Sequence, residues 1–442
     1  MGSTGTDRAL VPEGWRAAME VGLAEAIFSR RSRRFGLGMT LPDGPLAHAS
    51  RHPPLPLSEL EEALLVWLGT GTTGVALGDL PPDGLSWMQG WSGRSWPCSC
   101  NSHSTELFYS NDEGLWLVPL RDAGHEEEDA TTLAGLGPDE LLAALLERFR
   151  ASRRRLEEGR ADLPSGEPGL FRFNAWNANR PGTTLFVPVT DTTYEYLTLL
   201  FIYFDEEHRF SVVDEHSGGR SCGLEPWLRT GRLRPDVTLS LVDLELRVLT
   251  TLNVEQAFIC QNMALALQAL GLGGWTFTGF LPHHLLGGGP DHRGLGFRFV
   301  TPSASPRAVV SRVPVGRDGA FETLTPPYVT DMSEAVDRYL AREAEAAETE
   351  GAHGRPTEVA AGRARPSAET VEIVKAFCSY VHGGHGRFPA FLDAAFARLV
   401  LQAHHLDLEF YDRHFQEGAY TPRHRDHLRL WHPEWEGDGP AA

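Results

Sequence analysis

Lysine is nearly absent. Lys375 is the only one among the 40 basic residues of this 442-residue chain, and the rest are arginine. A Walker-type phosphate loop needs Gly-Lys-Ser/Thr, and none exists here. Schiff-base chemistry would fall on that single side chain. Positive charge is also in short supply. Forty basic against 59 acidic residues give a net charge of −19. A protein that coats duplex nucleic acid needs a basic face to displace counterions, so nucleic acid is not the expected partner. Five cysteines are too few and too scattered for a secreted disulfide framework. Long apolar runs are missing: the longest, Tyr194 to Phe204, falls well short of the roughly 20 residues a bilayer requires. The first thirty residues lack a signal-peptide layout. These absences lead to the expectation of a cytoplasmic, non-membrane protein with reduced thiols.

The rest of the composition is that of an ordinary globular chain, 41% hydrophobic and 22% charged. Residues 1–12 are small and polar and are expected to be disordered. Helical sequence runs from Glu13 to Ser29. A second helix follows Pro56 and Ser58, with Leu60, Ala63, Leu64, Trp67 and Leu68 at 3- and 4-residue spacing. It stops in glycines 69, 71 and 74, which spell G-x-G-x-x-G. A dinucleotide site needs a strand before such glycines, whereas a helix precedes these, so they read as a helix terminus. Glu106–Tyr109 and Leu115–Val118 read as paired strands around the turn at 111–114. Residues 121–180 interrupt this pattern with an acidic stretch and an amphipathic helix opened by Gly137-Pro138. Strands are expected at Thr184–Val189, Tyr194–Phe204 and Arg209–Asp214, the second as a central strand buried on both faces. Asn253 and Gln256 read as the capping box of an apolar helix ending at Gly271. A helix follows at 331–347, then a linker at 348–367, then a helical region at 368–442.

Three motifs occur in order. Arg30-Arg31-Ser32-x-Arg34 is followed by a helix ending in Gly71-Thr72-Thr73-Gly74. Arg94-Ser95-Trp96-Pro97-Cys98-Ser99-Cys100-Asn101 precedes Glu106-Leu107-Phe108. The apolar helix runs into Gly271-Leu272-Gly273-Gly274 and Thr278-Gly279-Phe280. Together they resemble the nitroreductase-like flavoproteins, and most closely the peptide-azoline dehydrogenase branch. The resemblance spans roughly residues 20–300, with 121–180 as an insertion. It implies an α+β fold over residues 13–330, with a mixed, largely antiparallel sheet flanked by helices and a C-terminal helical appendage. It also implies a homodimer with FMN at the subunit interface.

By the same resemblance, Arg30, Arg31, Ser32 and Arg34 would hold the FMN phosphate and ribityl chain. Ser99 and Asn101 would face the ring from the other subunit. Thr278 and Gly279 would donate backbone N–H groups to flavin N5, and Arg298 would add a phosphate contact. The implied activity is hydride transfer through N5 from NAD(P)H or an organic donor to a small organic acceptor. The branch's Lys-Tyr proton pair has no counterpart, because no lysine precedes residue 375. Tyr109 and His103 are the candidate proton donors left. Cys98 and Cys100 replace small residues and read as packing groups.

Nine of the 18 histidines fall after residue 350. His404-His405-Leu406-Asp407 and His424-Arg425-Asp426-His427 have helix-compatible ligand spacing. The preferred reading is histidines on amphipathic helices, with no metal assigned. The competing functions are a non-catalytic flavin- or partner-binding module and a metal-dependent enzyme using this region.

Overall fold

In a computed structural model, residues 12–75, 92–98, 101–121, 135–302, 312–347, 356–362 and 365–435 are described. The frame is one seven-stranded antiparallel sheet. Its strands are β1 (Thr105–Ser110), β2 (Gly114–Val118), β3 (Arg154–Glu158), β4 (Thr184–Asp191), β5 (Gly273–Phe277), β6 (Ala395–Phe396) and β7 (Val400–His404). The order is β5-β7-β4-β1-β2-β3, and β6 pairs with the end of β4. Side chains alternate across the sheet as the pleat requires. Leu107, Tyr109, Phe186, Leu401 and Ala403 point to one face, and Phe108, Leu115, Val187 and Val400 to the other.

The first face is covered by three helices: α3 (Glu59–Thr70), α4 (Pro138–Ser152) and the second half of α6 (Leu241–Leu270). A separate helical core joins the first half of α6 to α5 (Thr192–Tyr203), α7 (Met332–Ala347) and α8 (Ala368–His385). The N-terminal segment forms two short helices, α1 (Glu13–Met19) and α2 (Leu23–Ser29), rather than one, and Gly22 caps the second. Two further helices close the chain, α9 (Leu408–His414) and α10 (Pro422–Trp431).

The predicted hairpin, the strand at 184–189 and the helix after Ser58 are present. The G-x-G-x-x-G lies at the end of α3, where the Gly71 N–H donates to the Trp67 carbonyl. Four expectations need correction. Tyr194–Phe204 is helix α5, not a strand. It is buried nearly all round, so no period is visible, and Asp191 caps it by accepting from the N–H groups of Thr193 and Tyr194. The capping box at Asn253 is interior to α6, whose N-cap is Ser240. Gln256 instead clamps Thr190 and the backbone of residues 396, 398 and 399. The stretch 121–180, read as carrying a helix without a strand, also supplies edge strand β3. The C-terminal region is no purely helical appendage. β7 lies between β5 and β4 in the middle of the sheet, hydrogen-bonded on both sides.

Candidate functional site

The arginine run leaves α2 as an extended segment that bridges to the sheet edge. Arg33 pairs with Gly274, and Gly36 with Leu406. Alternation then divides the run. Arg33 turns inward, 2% exposed, and donates to the Ala419 carbonyl, the Gln268 side chain and the Ser29 carbonyl. Burial pulls its pKa down to about 10, which leaves it charged at neutral pH. Arg30, Arg31 and Ser32 are exposed, and Arg31 folds back onto the carbonyls of Phe28 and Arg30.

Arg34 turns the other way, over the rings of Trp275 at 5.1 Å and Trp176 at 5.6 Å. Its Nη2 donates to the Phe173 carbonyl at 2.9 Å. The turn at residues 171–177 is held to the sheet by Gln402, which donates to the Asn177 carbonyl and accepts from the Asn179 N–H. Gly279 meets the same turn: its carbonyl accepts from the Phe171 N–H, and a Cβ at 279 would lie 2.5 Å from Asn174 Oδ1. The glycine there makes room for Asn174. Arg34 and Gly279 are thus brought to one place, with Thr278 exposed beside them.

Among the described residues, this place holds buried polar atoms without hydrogen-bond partners: Arg34 Nε, Trp275 Nε1, Asn177 Nδ2 and Asn174 Oδ1, with His404 packed against Trp275. A buried donor or acceptor left without a partner costs about 1–3 kcal/mol, so these atoms are candidates for contact with water or a polar ligand. Two donors and one acceptor beside the Arg34 guanidinium are groups that an anion bearing hydroxyls could meet. The sequence did not single out Asn174, Asn177, Trp176 or Trp275, and it marked His404 only by ligand-type spacing. Asn174, Trp176 and Asn177 lie inside the stretch read as an insertion, and no local motif marks any of the four.

The second signature lies elsewhere. Ser99 and Cys100 lie outside the described residues. Asn101 adopts a left-handed φ of 57° and its Oδ1 meets His103 Nε2 at 2.6 Å. Burial lowers the His103 pKa to about 3, so at neutral pH the ring is uncharged. Next to this pair sits an acidic cluster from α5 and α6. Cys98 Sγ donates to Glu255 Oε1 at 2.7 Å, and Ser102 Oγ donates to Glu195 Oε2 at 2.7 Å. Burial, reinforced by Glu255, pushes Glu195 up to about 8. Burial and both carboxylates push the Cys98 thiol far up, so it remains a thiol.

The two loci do not meet within one chain. Trp275 lies opposite Gln402, which lies opposite Leu185, whereas Thr105 lies opposite Thr190. Five residues of β4 separate them, roughly 17 Å along the strand. Tyr109 belongs to neither. It is fully buried between Trp116, Phe149 and Phe186, with its hydroxyl turned to Arg153. Arg298 is half-exposed on a small separate sheet, 3.7 Å from Asp318. A cleft of about 320 Å3 between α3, α4 and the end of β2 holds none of the expected site residues.

No family model matches the chain, and no curated protein matches it. Among solved structures, the chain is similar to a protein from Ralstonia eutropha described as a putative nitroreductase. Identity is 11%, with 60% of this chain and 74% of that one covered, at a TM-score of 0.27. A superposition this loose transfers neither residues nor activity. Among the described residues, no helix is long and apolar enough to cross a membrane.

Proposed function

We propose that the chain is an FMN-dependent oxidoreductase that works as a homodimer. The observation that carries this reading is the set of partnerless buried atoms around Arg34, in the segment whose sequence resembles an FMN phosphate-binding run. Arg34 and Trp275 would take the phosphate and the adjoining chain, and Asn177 and Asn174 the ribityl hydroxyls. Arg30, Arg31 and Ser32 lie exposed on the same segment. The Thr278–Gly279 backbone would be the group that approaches the ring.

A second copy fits the separation of the two loci. The half of the site contributed by Asn101 and His103 would come from the partner, as the resemblance implies. An apolar surface is available for that contact. Leu246, Val254 and Phe258 on α6 are 51%, 38% and 41% exposed, and Leu23, Ile27 and Phe28 on neighbouring α2 are 71%, 48% and 80% exposed. Exposed apolar groups gathered on adjoining helices mark an association surface.

FMN, when bound, supplies hydride chemistry at N5, with NAD(P)H or an organic molecule as donor. The chain supplies position and protons. Glu195, pushed by burial to a pKa of about 8, keeps its proton at neutral pH and accepts a hydrogen bond from Ser102. Neutral His103 accepts or donates a hydrogen bond but carries no charge to give.

The test is to denature the purified protein, chromatograph what is released, and measure the mass of the native assembly. A flavin mononucleotide released from a dimer supports the reading. A colourless monomer that ignores added FMN ends it.

A further inference from the structure

Four side chains distant in sequence meet in a fully buried cluster on the helix-covered side of the sheet: Glu61 from the first turn of α3, His405 just past β7, His427 from α10, and His432 just beyond it. Their facing atoms all lie within 4.8 Å of one another. His427 Nε2 is 3.0 Å from His405 Nδ1 and 3.0 Å from Glu61 Oε1, and His432 Nε2 is 3.2 Å from both Glu61 carboxylate oxygens.

The outward atoms are already committed. His427 Nδ1 lies 2.7 Å from the Leu270 carbonyl, which can only accept, so this nitrogen carries the hydrogen. His405 Nε2 lies 3.2 Å from the Pro56 carbonyl and is fixed the same way. Glu61 Oε2 accepts from the backbone N–H and hydroxyl of Ser58 in the capping box. In their neutral forms, His427 and His405 therefore point bare nitrogens at each other, with a carboxylate oxygen beside them. Two lone pairs 3.0 Å apart repel unless a cation lies between them.

We propose that this cluster is a structural site for a zinc-class divalent cation, bound by His405 Nδ1, His427 Nε2, His432 Nε2 and Glu61 Oε1. Zinc takes four ligands tetrahedrally at about 2.0–2.1 Å from nitrogen or oxygen, which puts ligand atoms roughly 3.3 Å apart. The three shortest separations here are within a few tenths of an ångström of that edge. Imidazoles whose other nitrogen donates to a backbone carbonyl are the usual outer arrangement of a zinc site. With four protein ligands and no exposed face, the site has no open position for substrate, so its role is mechanical. It ties the start of α3 to the strand and helix that the C-terminus adds to the sheet. The competing occupant is a proton on His427, shared between Glu61 and His405.

Metal analysis of the untagged full-length protein, purified without chelator, separates the two. The expected result is about one equivalent of zinc per chain. Loss of that metal is expected in His427→Gln and in His405→Gln, and retention in His292→Gln, whose ring meets Asp162 outside the cluster. Should the two cluster variants fail to fold, the wild-type chain still decides. Unfolded with chelator and refolded with Co(II), it should show the intense visible bands of tetrahedral cobalt and melt several degrees above the metal-free chain. A folded protein with only traces of any divalent metal and no cobalt bands after refolding overturns the proposal in favour of the proton.

Discussion

The arginine run at 30–34 and the histidine-rich stretch after residue 350 are both conspicuous in the sequence, and the fold treats them in opposite ways. The arginines form one contiguous motif, and the chain pulls it apart: Arg33 goes into the core, Arg34 toward the aromatic turn, and Arg30 and Arg31 into solvent. The histidines form two separate runs, and the chain brings one member of each together with His432 and Glu61. A dense motif is thus no proof of a shared site, and a dispersed one is no proof against it. The difference comes from backbone geometry. In an extended segment neighbours face opposite ways, so Arg33 and Arg34 cannot converge. His404 and His405 at the end of β7 diverge for the same reason, and only His405 reaches the cluster.

The comparison breaks most visibly if the C-terminal region is removed. A chain ending at residue 367 loses β7 from between β5 and β4. It should be insoluble or unfolded by circular dichroism, whereas loss of a true appendage would leave the melting temperature nearly unchanged. Next in size is Arg33→Ala. It strips hydrogen bonds from Gln268, Ala419 and Ser29 in a buried setting, and should destabilise the fold by about 3 kcal/mol in denaturant titration.

Arg34→Ala should leave stability closer to normal and weaken FMN binding by about 2 kcal/mol, roughly 30-fold, read by flavin fluorescence. Equal flavin loss from Arg31→Ala would show that the run acts as a unit after all. In stability, Arg31→Ala should cost no more than about 0.5 kcal/mol, the smallest effect in the series, because the side chain touches only exposed backbone.

The acidic cluster gives a pH test of comparable size to that of Arg34. In the folded state Glu195 holds its proton up to about pH 8, while in the unfolded chain it releases it near the ordinary carboxylate value. The unfolded state therefore binds fewer protons between those limits, and stability falls as pH rises. From pH 6.5 to 8 the contribution of Glu195 should drop by up to about 2 kcal/mol. Glu195→Gln should flatten that slope. A wild-type chain equally stable at both ends would place the proton elsewhere.

Local signals were readable where the period was strong. The hairpin at 105–118, the strand at 184–191, the Ser58 cap and the helix at 332–347 follow from alternation, turn residues and helical spacing. Signals failed where burial erased the period. α5 is apolar on every side, and its length is compatible with a buried strand until the Asp191 cap is recognised. The strand at 400–404 lies among histidines and aromatics that suit helices equally well, and only its place between two paired strands makes it extended. Of the candidate site, the arginine run and Thr278-Gly279 could be found by motif. The turn carrying Asn174, Trp176 and Asn177 could not, since its members acquire a role only by facing Arg34 across the sheet edge.

Composition and local pattern account for a lysine-poor, acidic α+β chain, several of its strands and helices, and the place of its arginine run. These depend on composition and on contacts a few residues apart. Tertiary structure alone decided which arginine is buried, which histidines meet Glu61, and that the last stretch of chain completes the middle of the sheet. Those outcomes depend on pairings more than a hundred residues apart in sequence, such as Leu401 with Phe186 and His405 beside Glu61. No local pattern encodes them, because the free energy that selects them is released only when the whole core closes.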